Sequence, residues 1–273
     1  MAPRPRKRFG QHWLRSDQVL NQIVQAADLS RGDRVLEIGP GTGLLTKRLL
    51  PLVAALVAVE IDRHLCDRLS KQFRGRDNFL LLAGDFLSLD LAAHLGDFPA
   101  FQHPNKVVAN IPYNITGPIL ERLLGSIAQP VPQPFATIVL LVQKEVAERL
   151  TAPPGSRVYG ALSVRVQYLA NCEWICGVPA CAFEPPPQVD SAVVRLCPRP
   201  LATPALDPRR LETLIQMGFA SRRKMLRNNL KAVIEPTDLT RYLEELKVNP
   251  QARAEDLSLP HWIALSNLLS GVS

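Results

Sequence analysis

An apolar run that stops on glycines constrains this chain more than any other stretch. Arg34-Val35-Leu36-Glu37-Ile38 reads as a short buried strand, and Gly39-Pro40-Gly41-Thr42-Gly43 follows at once. A helical segment, Leu44 to Leu50, comes directly after. Strand, glycine loop and helix in that order open a doubly wound nucleotide-binding sheet. Glycines there let the backbone approach a ligand closely. The spacing is G-x-G-x-G, so the G-x-G-x-x-G pyrophosphate fingerprint is absent, and no P-loop lysine follows.

The same grammar repeats downstream. A second strand, Ala55 to Val59, ends in Glu60-Ile61-Asp62. Glu60 lies 21 residues after Gly39, the distance at which an acid at a strand tip grips ribose hydroxyls. A carboxylate accepts both hydroxyl protons, which fits an adenosyl cofactor. A third strand, Phe79 to Ala83, ends in Gly84-Asp85-Phe86, and Asp85 can accept from an adenine 6-amino group. A fourth, Lys106 to Ala109, delivers Asn110-Ile111-Pro112-Tyr113. Ligands of open parallel sheets bind at the carboxyl ends of the strands, so Gly39, Glu60, Asp85 and Asn110 are predicted to share one site. The tetrapeptide itself has two readings. It is a serviceable strand-to-helix turn, because Asn and Pro are turn residues. It also suits an exocyclic amine, since the Asn oxygen and a nearby carbonyl accept its hydrogens and the Tyr ring stacks on the heterocycle.

Charge adds a partner. The chain has 273 residues and a net charge of +7. Residues 1–15 carry +5 and residues 199–234 carry +6, which leaves a net −4 for the rest. Two basic clusters flanking a mildly acidic body favour a nucleic-acid partner over simple solvated faces. The 47% hydrophobic composition supports a large core. No apolar run approaches the ~20 residues of a membrane span, and the basic N-terminus lacks the apolar segment of a secretory signal. The five cysteines, at 66, 172, 176, 181 and 197, form no CxxC pair. No metal site is expected, and reduced thiols fit a cytoplasmic protein.

Phe9-Gly10-Gln11-His12-Trp13-Leu14 is an aromatic-rich turn that either covers a ligand or docks the N-terminus. Ser16 or Asp17 then offers a helix cap. Further on, Phe183-Glu184-Pro185-Pro186-Pro187-Gln188-Val189-Asp190-Ser191 is a proline-stiffened loop. It either packs as a hairpin or holds Phe183 opposite Tyr113, sandwiching a base. Pro198 to Pro208 reads as a linker. Beyond it the pattern is helical only, with helices expected at Arg209–Phe219, Ser221–Val233, Leu239–Leu246 and Pro260–Leu269. The expected division is therefore 1–200, a sheet domain with a basic arm, and 201–273, a helical RNA-binding domain. The fold class is α/β, a Rossmann-like sheet with a small all-helical C-terminal domain. Arg222, Arg223, Lys224 and Arg227, read as lying on one helix, form a candidate phosphate-binding surface.

Taken together, the glycine loop, Glu60, Gly84-Asp85 and Asn110-Ile111-Pro112-Tyr113 resemble the S-adenosylmethionine-dependent methyltransferases. More narrowly, they resemble the ribosomal RNA adenine N6,N6-dimethyltransferases. The segment Arg8 to Leu14, the F-x-P-x-P-x-V-x-S loop and Phe219 to Leu230 carry the likeness on, the last toward the bacterial small-subunit enzymes. In that family the position of His12 is commonly Asn and that of Trp13 commonly Phe. The resemblance implies S-adenosyl-L-methionine as cofactor, held by His12, Leu14, Gly39, Gly41, Glu60, Asp85 and Asn110. It implies catalytic roles for Asn110, the Pro112 carbonyl, Tyr113 and Phe183. The implied substrate is two adjacent adenines near the 3′ end of small-subunit rRNA, met by a monomer on the immature subunit. Rival readings are a large-subunit rRNA adenine methylase of the antibiotic-resistance type, a DNA adenine methylase, and a non-catalytic ribosome-assembly factor.

Overall fold

The computed structural model describes Arg6 and residues 10–270. The basic residues Arg4, Lys7 and Arg8, and Phe9 of the N-terminal signature, lie outside the described residues. The chain forms two compact units. One runs to Leu123 and takes in Gln133–Ala147 and Glu173–Pro198; the other comprises Leu124–Pro132, Glu148–Cys172 and the chain from Arg199 on. The helical unit thus draws on two stretches ahead of the boundary expected near residue 200.

The first unit is built on β2 (Arg34–Ile38), β3 (Ala55–Glu60), β4 (Phe79–Ala83), β5 (Lys106–Asn110), β6 (Thr137–Gln143) and β9 (Ser191–Pro198). With β7 (Ala170–Val178) they form a seven-stranded sheet in the order β4-β3-β2-β5-β6-β9-β7. The neighbours from β4 to β6 run parallel, and β9 is antiparallel to β6. Val35, Leu36, Leu56, Val57, Val107 and Val108 are at most 1% exposed. Such continuous apolar runs belong to strands covered on both faces. Helices α1 (Asp17–Ala26), α2 (Leu44–Leu49), α3 (Arg63–Gln72), α4 (Leu91–Leu95) and α5 (Thr116–Leu124) lie along this part of the chain. The cap of α1 is Ser16, whose hydroxyl accepts from Val19 N. Asp62 caps α3 in the same way through His64 N.

A short ladder ties the N-terminal segment down. β1 (Trp13–Leu14) pairs antiparallel with β8 (Phe183–Glu184), and Arg15 N donates to Ala182 O at 2.8 Å. Register sets Leu14 opposite Phe183, and both sit in the apolar cluster with Leu20, Ile23 and Val35.

Two helices lie between β6 and β7, α6 (Lys144–Thr151) and α7 (Ala161–Leu169). The remaining helices are α8 (Pro208–Gly218), α9 (Leu226–Leu230), α10 (Pro236–Glu245) and α11 (Leu259–Ser270). The core of the second unit gathers Tyr159, Leu211, Leu226, Leu230, Leu243 and Trp262. Gly218 is fixed by close approach: a Cβ there would lie 2.4 Å from Trp262 Cη2. The helix expected over Ser221–Val233 is not formed as such. Residues 222–224 make a turn and only Leu226–Leu230 is helical. The amide of Asn229 donates to the carbonyls of Gly218, at 2.6 Å, and Ser221, at 3.0 Å, which holds the reversal in place of continued helix. Among the described residues no helix is long and apolar enough to cross a membrane.

Candidate active site

A cleft opens at the carboxyl ends of β2, β3, β4 and β5. Its volume is about 740 Å³ counted out to open solvent. His12, Gly39, Gly41, Glu60, Asp85, Asn110, Pro112 and Tyr113 all line it. Leu14 lines the smaller cavity behind the glycine loop, beside Gly39, Gly41 and Asn110.

The strand tips are braced by backbone. Glu60 is 4% exposed, and its two oxygens accept from Gly41 N at 3.1 Å and Asp62 N at 2.9 Å. Each oxygen keeps lone-pair capacity for a further donor. Burial raises the Glu60 pKa, while those two backbone donors pull it back. Asp85 is turned by Leu87 N, which donates to Oδ1 at 2.9 Å. Gly39 and Gly41 have φ of +67° and +59°, a left-handed loop that suits glycine. A side chain at Gly41 would meet the Trp13 indole at 3.2 Å.

Asn110 is oriented from the N-terminal segment. Its Nδ2 donates to His12 O at 3.2 Å. A carbonyl only accepts, so that bond fixes the amide, and Oδ1 is the end left to accept from a ligand. The Pro112 carbonyl accepts from Ile115 N at 3.3 Å and retains a lone pair. Tyr113 is held through its hydroxyl, 2.6 Å from Ser191 Oγ. Burial raises the phenol pKa and the Ser191 bond opposes it. The ring lying on Tyr113 is His12, with centroids 5.9 Å apart and planes 13° from parallel. His12 Nδ1 sits 2.8 Å from Pro185 O, so that nitrogen carries the proton and Nε2 faces away from the bond.

One expected wall is elsewhere. Phe183 does not line the cleft; it is 4% exposed and packs inward with Leu14. The β1·β8 register directs it there, because neighbouring residues of a strand point to opposite faces. The cation cluster also differs from expectation. Arg222 is tied to Glu255 at 3.1 Å and to the carbonyls of Arg157 and Tyr159. Arg223 and Lys224 are exposed on the turn, and Arg227 stands on α9.

Some supporting residues were not singled out from sequence. Glu37, inside β2, is 1% exposed and accepts from the Thr46 hydroxyl at 2.7 Å. Burial pushes its carboxyl up to about 8; the Thr46 hydrogen bond favours ionisation and Glu60 repels it. A charged residue amid Val35, Leu36 and Ile38 is the signal that marks it. Asp62 anchors the N-terminal segment through Gln11 Nε2 at 3.3 Å and Arg6 Nη1 at 3.3 Å.

Two solved structures resemble the chain over nearly its whole length. A dimethyladenosine transferase from Plasmodium falciparum is 27% identical with a TM-score of 0.75, covering 93% of this chain and 96% of that one. The 23S rRNA methyltransferase ErmE is 26% identical with a TM-score of 0.73, covering 94% and 99%. Fold and cleft therefore define a Rossmann-like, S-adenosylmethionine-dependent methyltransferase. Ribosomal RNA adenine dimethylases are described by a family model that matches residues 3–270. A ribosomal RNA small subunit methyltransferase A from Nostoc sp. is 65% identical over 97% of this chain and 98% of its own length. One from Trichormus variabilis is 66% identical over the same shares. The chain belongs to the ribosomal RNA adenine dimethylase family, and it is an S-adenosylmethionine-dependent rRNA adenine methyltransferase.

Proposed function

We propose that this protein places two methyl groups on N6 of each of two adjacent adenines in the 3′-terminal hairpin loop of small-subunit rRNA, late in subunit assembly. It works as a monomer in the cytoplasm, where its substrate is made. Small-subunit rRNA is favoured over the large subunit because relatives named for the small subunit share 65% and 66% of residues, against 26% for ErmE.

When bound, S-adenosylmethionine supplies an electrophilic methyl group on a sulfonium. Glu60 would hold the ribose, Asp85 the cofactor adenine, and His12, Leu14, Gly39 and Gly41 the remainder. The buried Glu60 carboxyl with spare lone pairs, and Gly39 and Gly41 lining the cleft without side chains, fit such a ligand. The target adenine leaves its own stack to enter the cleft, at least cost in an RNA loop. Tyr113 stacks on it. Phe183, from its inward place, holds the proline loop that carries Pro185 against His12.

N6 is a weak nucleophile because its lone pair is delocalised into the ring. Asn110 Oδ1 and the Pro112 carbonyl accept its two hydrogens and localise that pair. The carrying observation is the Asn110 Nδ2 bond to His12 O, which turns the amide so that its oxygen is the acceptor. As the N6 lone pair took the methyl carbon, the carbon–sulfur bond would break with its electron pair returning to sulfur, leaving a neutral thioether, and the nitrogen, made acidic, would pass its proton to water. Position and electrostatics supply the rate.

The test is methyl transfer in competition. Immature small subunits and naked large-subunit rRNA are offered together with labelled cofactor. The expected result is label confined to the small subunit and recovered as dimethyladenosine. Label on large-subunit rRNA would overturn the substrate.

A further inference from the structure

Trp13 carries a donor with no acceptor among the described residues. Its indole Nε1 is buried and makes no hydrogen bond to any of them, and the residue is 7% exposed. An indole N–H can only donate, and leaving one buried and unpaired costs free energy that a phenylalanine of similar shape would not incur. The edge bearing this N–H faces the glycine loop. A Cβ built on Gly41 would lie 3.2 Å from Trp13 Cδ1 and 3.3 Å from Nε1. Trp13 also lines both the main cleft and the cavity behind the loop, with Gly39, Gly41 and Asn110 in each.

The strand order says which part of the cofactor passes there. β3 and β4 carry Glu60 and Asp85, β5 carries Asn110, and β2 with its glycine loop lies between β3 and β5. A sulfonium has three substituents. With the nucleoside over β3 and β4 and the methyl presented to Asn110, the amino-acid arm is left to the loop of β2. That arm ends in an ammonium, which cannot accept, and a carboxylate, which can.

We infer that the Trp13 indole N–H is a hydrogen-bond donor to the carboxylate of the bound cofactor. The inference rests on the cofactor placement proposed above. It makes Trp13 a cofactor-binding residue that reads one functional group of the ligand, and it gives the buried donor its acceptor.

The test uses two ligands that differ only in that group: S-adenosylhomocysteine and its decarboxylated counterpart, S-adenosyl-3-thiopropylamine. Calorimetric titration of wild type and Trp13→Phe should show S-adenosylhomocysteine weakened about 10- to 100-fold by the substitution, as expected for a hydrogen bond to a charged acceptor. The decarboxylated ligand should change less than about twofold, within the effect of small packing differences. Equal changes for both ligands, or none for either, would overturn the assignment. A second measurement needs no variant. Of the three tryptophans, one indole N–H resonance should move downfield with S-adenosylhomocysteine and stay put with the decarboxylated ligand. Three unmoved signals would also overturn it. Glu60→Ala checks the placement separately and should weaken both ligands alike. Unchanged affinity there would count against the placement, not against Trp13.

Discussion

The cleft and the cationic turn hold their polar groups in opposite ways. In the cleft, Glu60, Asp85 and Asn110 are each bonded to backbone, and Tyr113 is fixed by Ser191. Their geometry is set before any ligand arrives. In the turn and the helix after it, Arg222 is committed to Glu255 and two carbonyls. The side chains of Arg223 and Lys224 make no hydrogen bond or ion pair among the described residues, and both residues are exposed. A braced group contributes through position and loses most of its value when displaced or removed. A solvated cation contributes through charge, additively and under salt screening. The two regions should therefore fail differently.

The largest expected effect is in the cleft. Asn110→Ala should lower kcat by about 10²–10³-fold, the scale for removing one preorganised group at the reacting centre. Cofactor affinity measured by calorimetry should largely survive. A variant with normal turnover would remove the amine-gripping role and with it one side of the comparison.

Next comes the carboxyl behind the glycine loop. Glu37 ionises near 4.5 when unfolded and at about 8 when folded. Between those values the folded chain binds more protons, so this group's stabilising contribution falls as pH rises through the window. The ceiling is of the order of 5 kcal/mol for such a shift. Denaturation of Glu37→Gln should show a flatter decline from pH 5 to 9 than wild type. Parallel curves would mean that Glu37 is not the titrating group.

Gly218→Ala separates position from charge in the second unit. Its Cβ would meet Trp262 at 2.4 Å, so the substitution should destabilise by roughly 1–3 kcal/mol in a melt. If Arg223 and Lys224 act by charge alone, the salt dependence of RNA binding should stay as in wild type.

Smallest is the charge reversal Arg223→Glu with Lys224→Glu. It should weaken subunit binding several-fold and lower the slope of log affinity against log salt by about 1–2. An unaltered slope would release the turn from any phosphate contact. Arg222 is excluded from this pair, because reversing it breaks the Glu255 contact and confounds binding with stability.

Much of the cleft is legible in the sequence, and physics says why. Parallel strands buried on both faces are apolar runs, so Ala55–Val59 and Val107–Ala109 declare themselves, and the polar residue that follows each marks the ligand edge. Their spacing yields Glu60 and Asn110 without coordinates. Long-range packing is what the sequence hides. Ser221–Val233 has helical composition, yet the reversal after α8 depends on Asn229 reaching back to the Gly218 and Ser221 carbonyls. Phe183 turns inward because a two-residue ladder sets its register against Leu14. Residues 148–172 join the helical unit through side chains such as Tyr159 and Val164, packed in a core with Trp262. The His12 ring lies on Tyr113 because the N-terminal segment is anchored by Asp62, some fifty positions away.

The contrast between position and charge is tested most directly by single-turnover methylation of small subunits, with the enzyme saturating and at two salt concentrations. Asn110→Ala should be slow at every enzyme concentration and at either salt. The double variant at Arg223 and Lys224 should regain the wild-type rate once binding is saturated at low salt. Recovery of Asn110→Ala by saturation, or a slow double variant under saturation, would contradict the account.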